Sequence, residues 1–363
     1  MRNILFISKW LSVAGTETFM MNVLRNINHQ QFHIDFLLFT ESESDYSKEA
    51  ERLGAKIYRL PARSSGLTYY RSLNNFFKDN ASHYDAIHFC GGNVSSIAPV
   101  YYAYKYNIPI RIVHSHSTDS RKWVNKILHG MNRAFIPKFG TCNLACSSLA
   151  AKYFFGTKGC TIVKNGVDTN AYKFNLESRC SFREKYKISP STHVLGHIGR
   201  FDEVKNHVFL LDIFNEYHKR NHDSKLVLVG EGHLEEQVRE KVKTLGLEDD
   251  VTFLGVRNDI PDILCAMDCF VMPSLYEGLP FVLVEAQASG LPCVISDTIN
   301  QDSKLTSYLK FRGLNEELSL WVDDISSLIG GNNREEGAGY VKEQGFDILS
   351  TVQYLERLYV PVV

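Results

Sequence analysis

From its first residues the chain sets short apolar runs against longer stretches in which apolar positions recur every three or four residues. "NILFIS" precedes a Gly-containing turn and the helix-period stretch "TFMMNVLRNI"; "IDFLLF" precedes "SKEAERLG"; "YDAIHF" precedes "NVSSIAPVYYAYKYN", and "IRIVHSHS" follows. The rhythm restarts at "HVLGHIG" and runs through "HVFLLDIFNEYHKR", "KLVLVG", "HLEEQVREKVKTLG", "VTFLG", "IPDILCAM", "CFVMPS" and "CVIS". Wholly apolar strands alternating with amphipathic helices predict parallel sheets covered on both faces, an α/β protein. The polar stretch from Tyr172 to His193 separates the two runs, so two Rossmann-like βαβ domains facing each other across a central cleft are expected. Their bounds are read as residues 1–165 and 166–345. Residues 346–363, after the glycine-rich "GGNNREEGAGY", read as a last amphipathic helix returning to the first domain. Ligands of open parallel sheets sit beyond the carboxyl ends of the strands, so chemistry is sought in the loops that follow strands.

At 363 residues and 44% hydrophobic content, the chain is long enough for two cores. No run approaches the ~18 apolar residues of a membrane span. Lys9 interrupts what would be a signal peptide's apolar centre, so a cytoplasmic protein with an unprocessed N-terminus is expected. Eight scattered cysteines do not resemble a disulfide framework. The Cys142/Cys146 and Cys265/Cys269 pairs lack zinc-ligand spacing and read as reduced, buried small side chains.

The net charge of −1 hides a division: residues 1–164 hold 20 Lys+Arg against 10 Asp+Glu, and the remainder 20 against 31. Between Tyr101 and Lys164 ten cations meet one acid, Asp119, so the first half is expected to face an anionic partner. Within it "RKWVNKILHGMNRAFIPKF" mixes cations with Trp123, Ile127, Leu128, Phe135 and Phe139. That pattern fits a helix lying on an anionic membrane surface, and equally an ordinary amphipathic helix packed on its own sheet. Nucleic acid is not expected, because no recognised binding motif accompanies the charge.

Three constellations bear on chemistry. "HIGRFDEVKNH" follows a strand and enters a helix, placing Arg200 and Lys205 where a diphosphate is held by helix-start amides and cations. The commoner reading of such spacing is a solvated pair near Asp202 and Glu203. In "LYEGLPFVLVEAQASGLP", Glu277 precedes a helix expected to start at Leu279-Pro280, beside the amides of Gly278, Leu279 and Phe281, and Glu285 projects from its second turn. A carboxylate so placed accepts two adjacent hydroxyls, as a ribose or another sugar offers; for Glu277 the alternative is pairing with the helix dipole. "RIVHSHSTD" puts His114 and His116 on one face of a strand end, open to a core, a zinc or a ligand role.

The order of "AGTE", "NGVD", "GRFDEVKN", "KLVLVGEG", "VTFLG" and "PSLYEGLPFVLVEAQASGLPCVIS" resembles the retaining nucleotide-sugar glycosyltransferases of family 4, which have the GT-B fold. "RIVHSHS" and "ISDTI" are similar to its capsular and exopolysaccharide members. The resemblance covers residues 1 to about 300. It implies a first domain for the acceptor and a second for a nucleotide-sugar donor, expected to be a UDP-sugar. Glu285 would hold the ribose, Glu277 the donor sugar, and Arg200 with Lys205 the departing diphosphate. The backbone at Val256 and Arg257 would meet the base. In the first domain Gly15 and Thr16 would form the ligand-facing turn, although Ala14 stands where the family has a glycine. His116, with His114 second, would meet donor sugar or acceptor. Asp-x-Asp, by which other sugar transferases hold a divalent ion, does not occur, so neither a metal nor another cofactor is expected. The resemblance further implies retention of configuration and a lipid-linked surface glycan as acceptor, with the enzyme peripheral to the membrane. An epimerase or hydrolase on the same fold remains a rival, as does a silent sugar-nucleotide-binding protein. Ala14 and "INQDSK", where the family often has a glutamate, favour the latter.

Overall fold

The computed structural model describes residues 1–12, 15–117, 123–156, 159–331 and 333–360. The chain forms two compact units, Met1–Gly166 with Asp347–Val363, and Val167–Phe346.

Among the described residues the first unit holds seven strands: β1 (Arg2–Ser8), β2 (Phe32–Leu38), β3 (Ile57–Arg59), β4 (Ala86–Gly91), β5 (Ile110–Ser115), β6 (Cys142–Ala145) and β7 (Thr161–Ile162). They pair in parallel in the order β3-β2-β1-β4-β5-β6-β7. Both faces of the central strand are covered. Leu5 and Ile7 join a core with Leu73, Phe77 and Phe154, while Phe6 turns the other way, against Phe36 and His88. This is why β1 reads as an unbroken apolar run.

The last helix, Ile348–Leu358, belongs to this unit and packs on the helix Gly15–Asn26. Polar contacts pin it along its length: Thr351 Oγ1 donates to the Lys164 carbonyl, and the Asn28 amide donates to Glu356 Oε1. Past its end, the hydroxyl of fully buried Tyr359 lies 2.7 Å from His88 Nδ1.

The second unit holds β8 (His193–Ile198), β9 (Ser224–Val229), β10 (Val251–Phe253), β11 (Cys269–Met272), β12 (Cys293–Ser296) and β13 (Leu309–Arg312), again parallel, in the order β10-β9-β8-β11-β12-β13. The strand period of two divides its side chains between two cores. Leu195, Leu226, Leu228 and Val271 face one side with Phe214 and Trp321; Val194, Val227, Val229 and Phe270 face the other with Leu264 and Leu283.

In each sheet the strand order reverses beside the first strand of the run, between β1 and β4 and between β8 and β11. Chains leave neighbouring strands in opposite directions at such a point, opening a crevice at the carboxyl edge. Cys265 and Cys269 are buried as expected, Cys142 and Cys146 only partly, and Cys180 is exposed. Among the described residues no helix is long and apolar enough to cross a membrane.

Tyr359→Phe strands a buried imidazole nitrogen and is expected to lower the unfolding free energy by about 1–3 kcal/mol. Urea denaturation reads the shift; a midpoint identical to the parent's would mean that the bond carries no weight.

Candidate functional site

In the second unit two loops meet at the β8/β11 reversal. The loop after β8 runs from Gly199 to Asn206, and close backbone packing fixes it. The Gly199 amide donates to the Val229 carbonyl and the Phe201 amide to that of Glu231. Gly230 makes this approach possible: it has φ +130, and a Cβ there would lie 2.2 Å from the Gly199 oxygen. Asp202 then caps the short turn Glu203–Lys205 by accepting from the Lys205 amide. Asn206 follows in the left-handed region and donates from Nδ2 to the Pro273 carbonyl, while the Leu275 amide donates to that of Val204. Loop one is thereby tied to loop two.

The second loop leaves β11 at buried Ser274, whose carbonyl accepts from Ser296 Oγ and Thr298 Oγ1. Glu277 bridges to Ile299 through the backbone. Its carboxylate meets Lys205: Nζ and Oε1 are 2.7 Å apart, and the side chains are only 16% and 19% exposed. The helix Phe281–Ala288 begins one residue later than its sequence suggests, with Pro280 as N-cap rather than first-turn residue. No side chain caps that end, so Pro280 fixes the entry angle and leaves helix-start amides such as Phe281 N for other partners. Glu285 stands half-buried in the second turn, between buried Val284 and Ala286.

Lys205 and Glu277 are thus brought together, while Arg200 is not drawn in: its side chain is 72% exposed and lies 3.6 Å from Asp202. Gly278 is exposed, and Leu279 and Phe281 lean on a small core around Val167 and Val284. Val256 and Arg257 follow the edge strand β10. Val256 is exposed, and the Arg257 guanidinium turns back to Asp259.

In the first unit Gly15 and Thr16 open the helix Gly15–Asn26; Ala14 lies outside the described residues. Sequence reasoning passed over the next residue, Glu17, which is buried with its carboxyl pushed up to about 7 by desolvation, against its own backbone amide and Trp10. An acid in the first turn of a helix reads as dipole pairing, so only burial reveals it.

His116, just after β5, packs on Phe19 and His114 with ring centroids 4.7 and 4.0 Å away. Neither of its ring nitrogens has a hydrogen-bond partner of good geometry, nor has Oδ1 of Asn165, from the "NGVD" motif. His114 is a core residue: its Nδ1 lies 3.0 Å from His88 Nε2, which continues the chain from Tyr359. His88, Cys90 and His114 have ligating atoms within 4.8 Å of one another, a different grouping from the His114/His116 pair. An ion there would have to break the Tyr359–His88–His114 chain and ionise a thiol that burial holds well above its ordinary value.

Two parallel Rossmann-like units, the second with a cation and a carboxylate held at its switch point, define an α/β protein of the GT-B type. Residues 192–307 match the family described as glycosyl transferases group 1. The putative glycosyltransferase EpsF of Bacillus subtilis is 31% identical over 375 residues, covering 99% of this chain and 96% of that protein. The UDP-Gal:alpha-D-GlcNAc-diphosphoundecaprenol alpha-1,3-galactosyltransferase of Escherichia coli is 31% identical over 217 residues, 56% of this chain and 54% of that one. Among solved structures, Anabaena Alr3699/HepE in complex with UDP superposes with a TM-score of 0.79 at 20% identity, covering 98% of this chain and 99% of that one. The chain belongs to the group 1 glycosyltransferases and is a glycosyltransferase.

The buried imidazoles generate a pH prediction. Desolvation lowers His88 and His116 to about 3 and His207 to about 4, so each is neutral in the fold yet protonates near 6.5 when unfolded. The unfolded chain binds more protons below that value, so their contribution to stability is intact above about pH 6.5 and is lost as pH falls toward 3–4. The unfolding free energy is expected to drop by up to ~1.4 kcal/mol per pH unit for each imidazole. Denaturant titrations across this range read the slope; a flat profile would contradict neutral burial.

Proposed function

We propose that the enzyme moves a hexose from a UDP-sugar to a lipid-linked surface glycan, with retention of configuration and without a metal ion. The observation that carries this reading is the Lys205–Glu277 pair at the switch point of the second sheet. Glu277 keeps the ammonium oriented while the site is free of anions, and an incoming diphosphate replaces the carboxylate as its partner. A unit charge about 4 Å away is attracted by roughly 4 kcal/mol at an effective dielectric of about 20, before desolvation. Released from Lys205, Glu277 is free to accept a hydroxyl of the donor sugar. Glu285 accepts the two ribose hydroxyls, and the backbone at Val256 and Arg257 meets the base. Arg200, exposed on the same loop, swings onto the diphosphate only when donor is bound.

As the glycosidic bond breaks, negative charge grows on the diphosphate, and Lys205 with Arg200 stabilises it in the role that other transferases give to a divalent ion. In the first unit, the carboxyl-end loops carrying Gly15, Thr16 and His116 take the acceptor. Support for a lipid-linked acceptor comes from the diphosphoundecaprenol named for the Escherichia coli relative, and for UDP from that relative and the HepE complex. Such an acceptor sets the work at the inner face of a membrane.

Hydrogen bonds to a charged group are worth ~1.5–3 kcal/mol, so Glu285→Ala is expected to weaken UDP binding by at least about tenfold in calorimetry. Unchanged affinity would remove Glu285 from the nucleotide site. Lys205→Met is expected to slow transfer by ~10²- to 10³-fold, the usual cost of removing one charge-stabilising donor. In the parent enzyme transfer should survive a chelator; its abolition by EDTA, restored by a divalent salt, would overturn the metal-free reading.

A further inference from the structure

Two histidines interrupt the apolar run of β8, and the second, His197, is wholly buried, its ring stacked on Phe270 and meeting His207 edge-on. An apolar side chain would serve such packing without the cost of burying polar atoms. Nδ1 of His197 lies 2.8 Å from the Val271 carbonyl, and a carbonyl only accepts, so Nδ1 carries the hydrogen. Burial, and after it the nearby His207 and Lys205, hold the imidazole well below its ordinary pKa. The ring is therefore neutral, and Nε2 presents a lone pair. That lone pair has no hydrogen-bond partner among the described residues, an arrangement that disfavours the fold unless a donor arrives.

A donor stands beside it. A Cβ on Gly199 would lie 3.0 Å from His197 Nε2 and 3.1 and 3.2 Å from Cε and Cδ of Lys205. The lone pair and the end of the lysine stem thus flank one point, and Gly199 puts no side chain between them. An ammonium carries three N–H donors, and here Glu277 Oε1 holds it at 2.7 Å. An anion that takes the place of this carboxylate also removes what orients the lysine from the protein's side.

We propose that His197 is a positioning residue for Lys205: as a diphosphate displaces Glu277, His197 Nε2 accepts one ammonium N–H and keeps the lysine aimed at the phosphates. A neutral acceptor suits this task better than a second carboxylate, whose charge would offset the one that the phosphates meet. The proton stays on the amine, because an alkylamine is a far stronger base than a buried imidazole. The inference deepens the reading of Lys205 as the diphosphate's cation and rests on it.

Calorimetry on the full chain with UDP and with UMP, which lacks the second phosphate, tests it. His197→Phe keeps the ring packing and is expected to weaken UDP by at least about tenfold while UMP stays within about twofold. His197→Gln returns an acceptor near the place of Nε2 and is expected to recover most of that loss. His197→Asn keeps only a donor toward Val271 and is expected to recover none, which separates positioning from mere support of the strand. In a Lys205→Met protein, itself weakened for UDP, adding His197→Phe is expected to change nothing further, since it acts through the ammonium. Parent-like UDP affinity in His197→Phe, equal losses in the Gln and Asn variants, or additive losses in the double variant would overturn the inference and leave Lys205 in its role. A Lys205→Met protein that binds UDP as the parent does would remove that role and this inference with it.

Discussion

Parallel pairing delivers every strand exit to one edge of a sheet, and the order of the strands decides which exits become neighbours. In the second unit β8 and β11 lie side by side although two further strands separate them in sequence. Their following loops therefore meet, and Lys205 reaches Glu277 at 2.7 Å. Everything else at the site maintains that meeting. Gly230 lets the first loop press onto its neighbour, Asn206 and Val204 tie it to the second, and Ser296 and Thr298 hold the carbonyl from which the second departs.

The ion pair matters less for stability than for readiness. Partly desolvated pairs return little net folding energy, since attraction is offset by lost hydration. What the pairing contributes is an ammonium whose rotamer is already chosen and whose charge is already partly stripped of water. Arg200 is the contrast. It extends into solvent beside Asp202, so any contact it makes with a ligand costs the ordering of a long side chain. The two cations of one loop thus divide into one held against a carboxylate and one left in solvent.

The strands and their two runs were legible because burial on both faces leaves a wholly apolar signature, as in Ile4 to Ile7. The nearness of Lys205 and Glu277 was readable only through topology and family resemblance, since no local period links residues so far apart in the chain. Where sequence reasoning fell short, tertiary contacts had decided the matter. Helical period showed that Trp123–Arg133 has two faces, yet His129 and Asn132 determined which one is buried. Glu17 drew no notice in the sequence, because a first-turn acid gives no local sign of the burial that raises its carboxyl. Pro280 missed its expected place by one residue because a cap and a first-turn proline share nearly the same φ.

Charge follows the same logic at larger scale. The half of the chain that carries Lys205 and Glu277 holds 31 acids against 20 cations, so its overall field disfavours anions. At physiological salt that field fades within ~8 Å, and what a ligand meets at contact is the local arrangement. Recognition there falls to placed groups, one ammonium and a helix start. The first half, residues 1–164, has the opposite balance, 20 cations against 10 acids. The two halves thus differ in kind: one fixes a single ammonium against a carboxylate inside an acid-rich field, and the other carries a broad excess of cations.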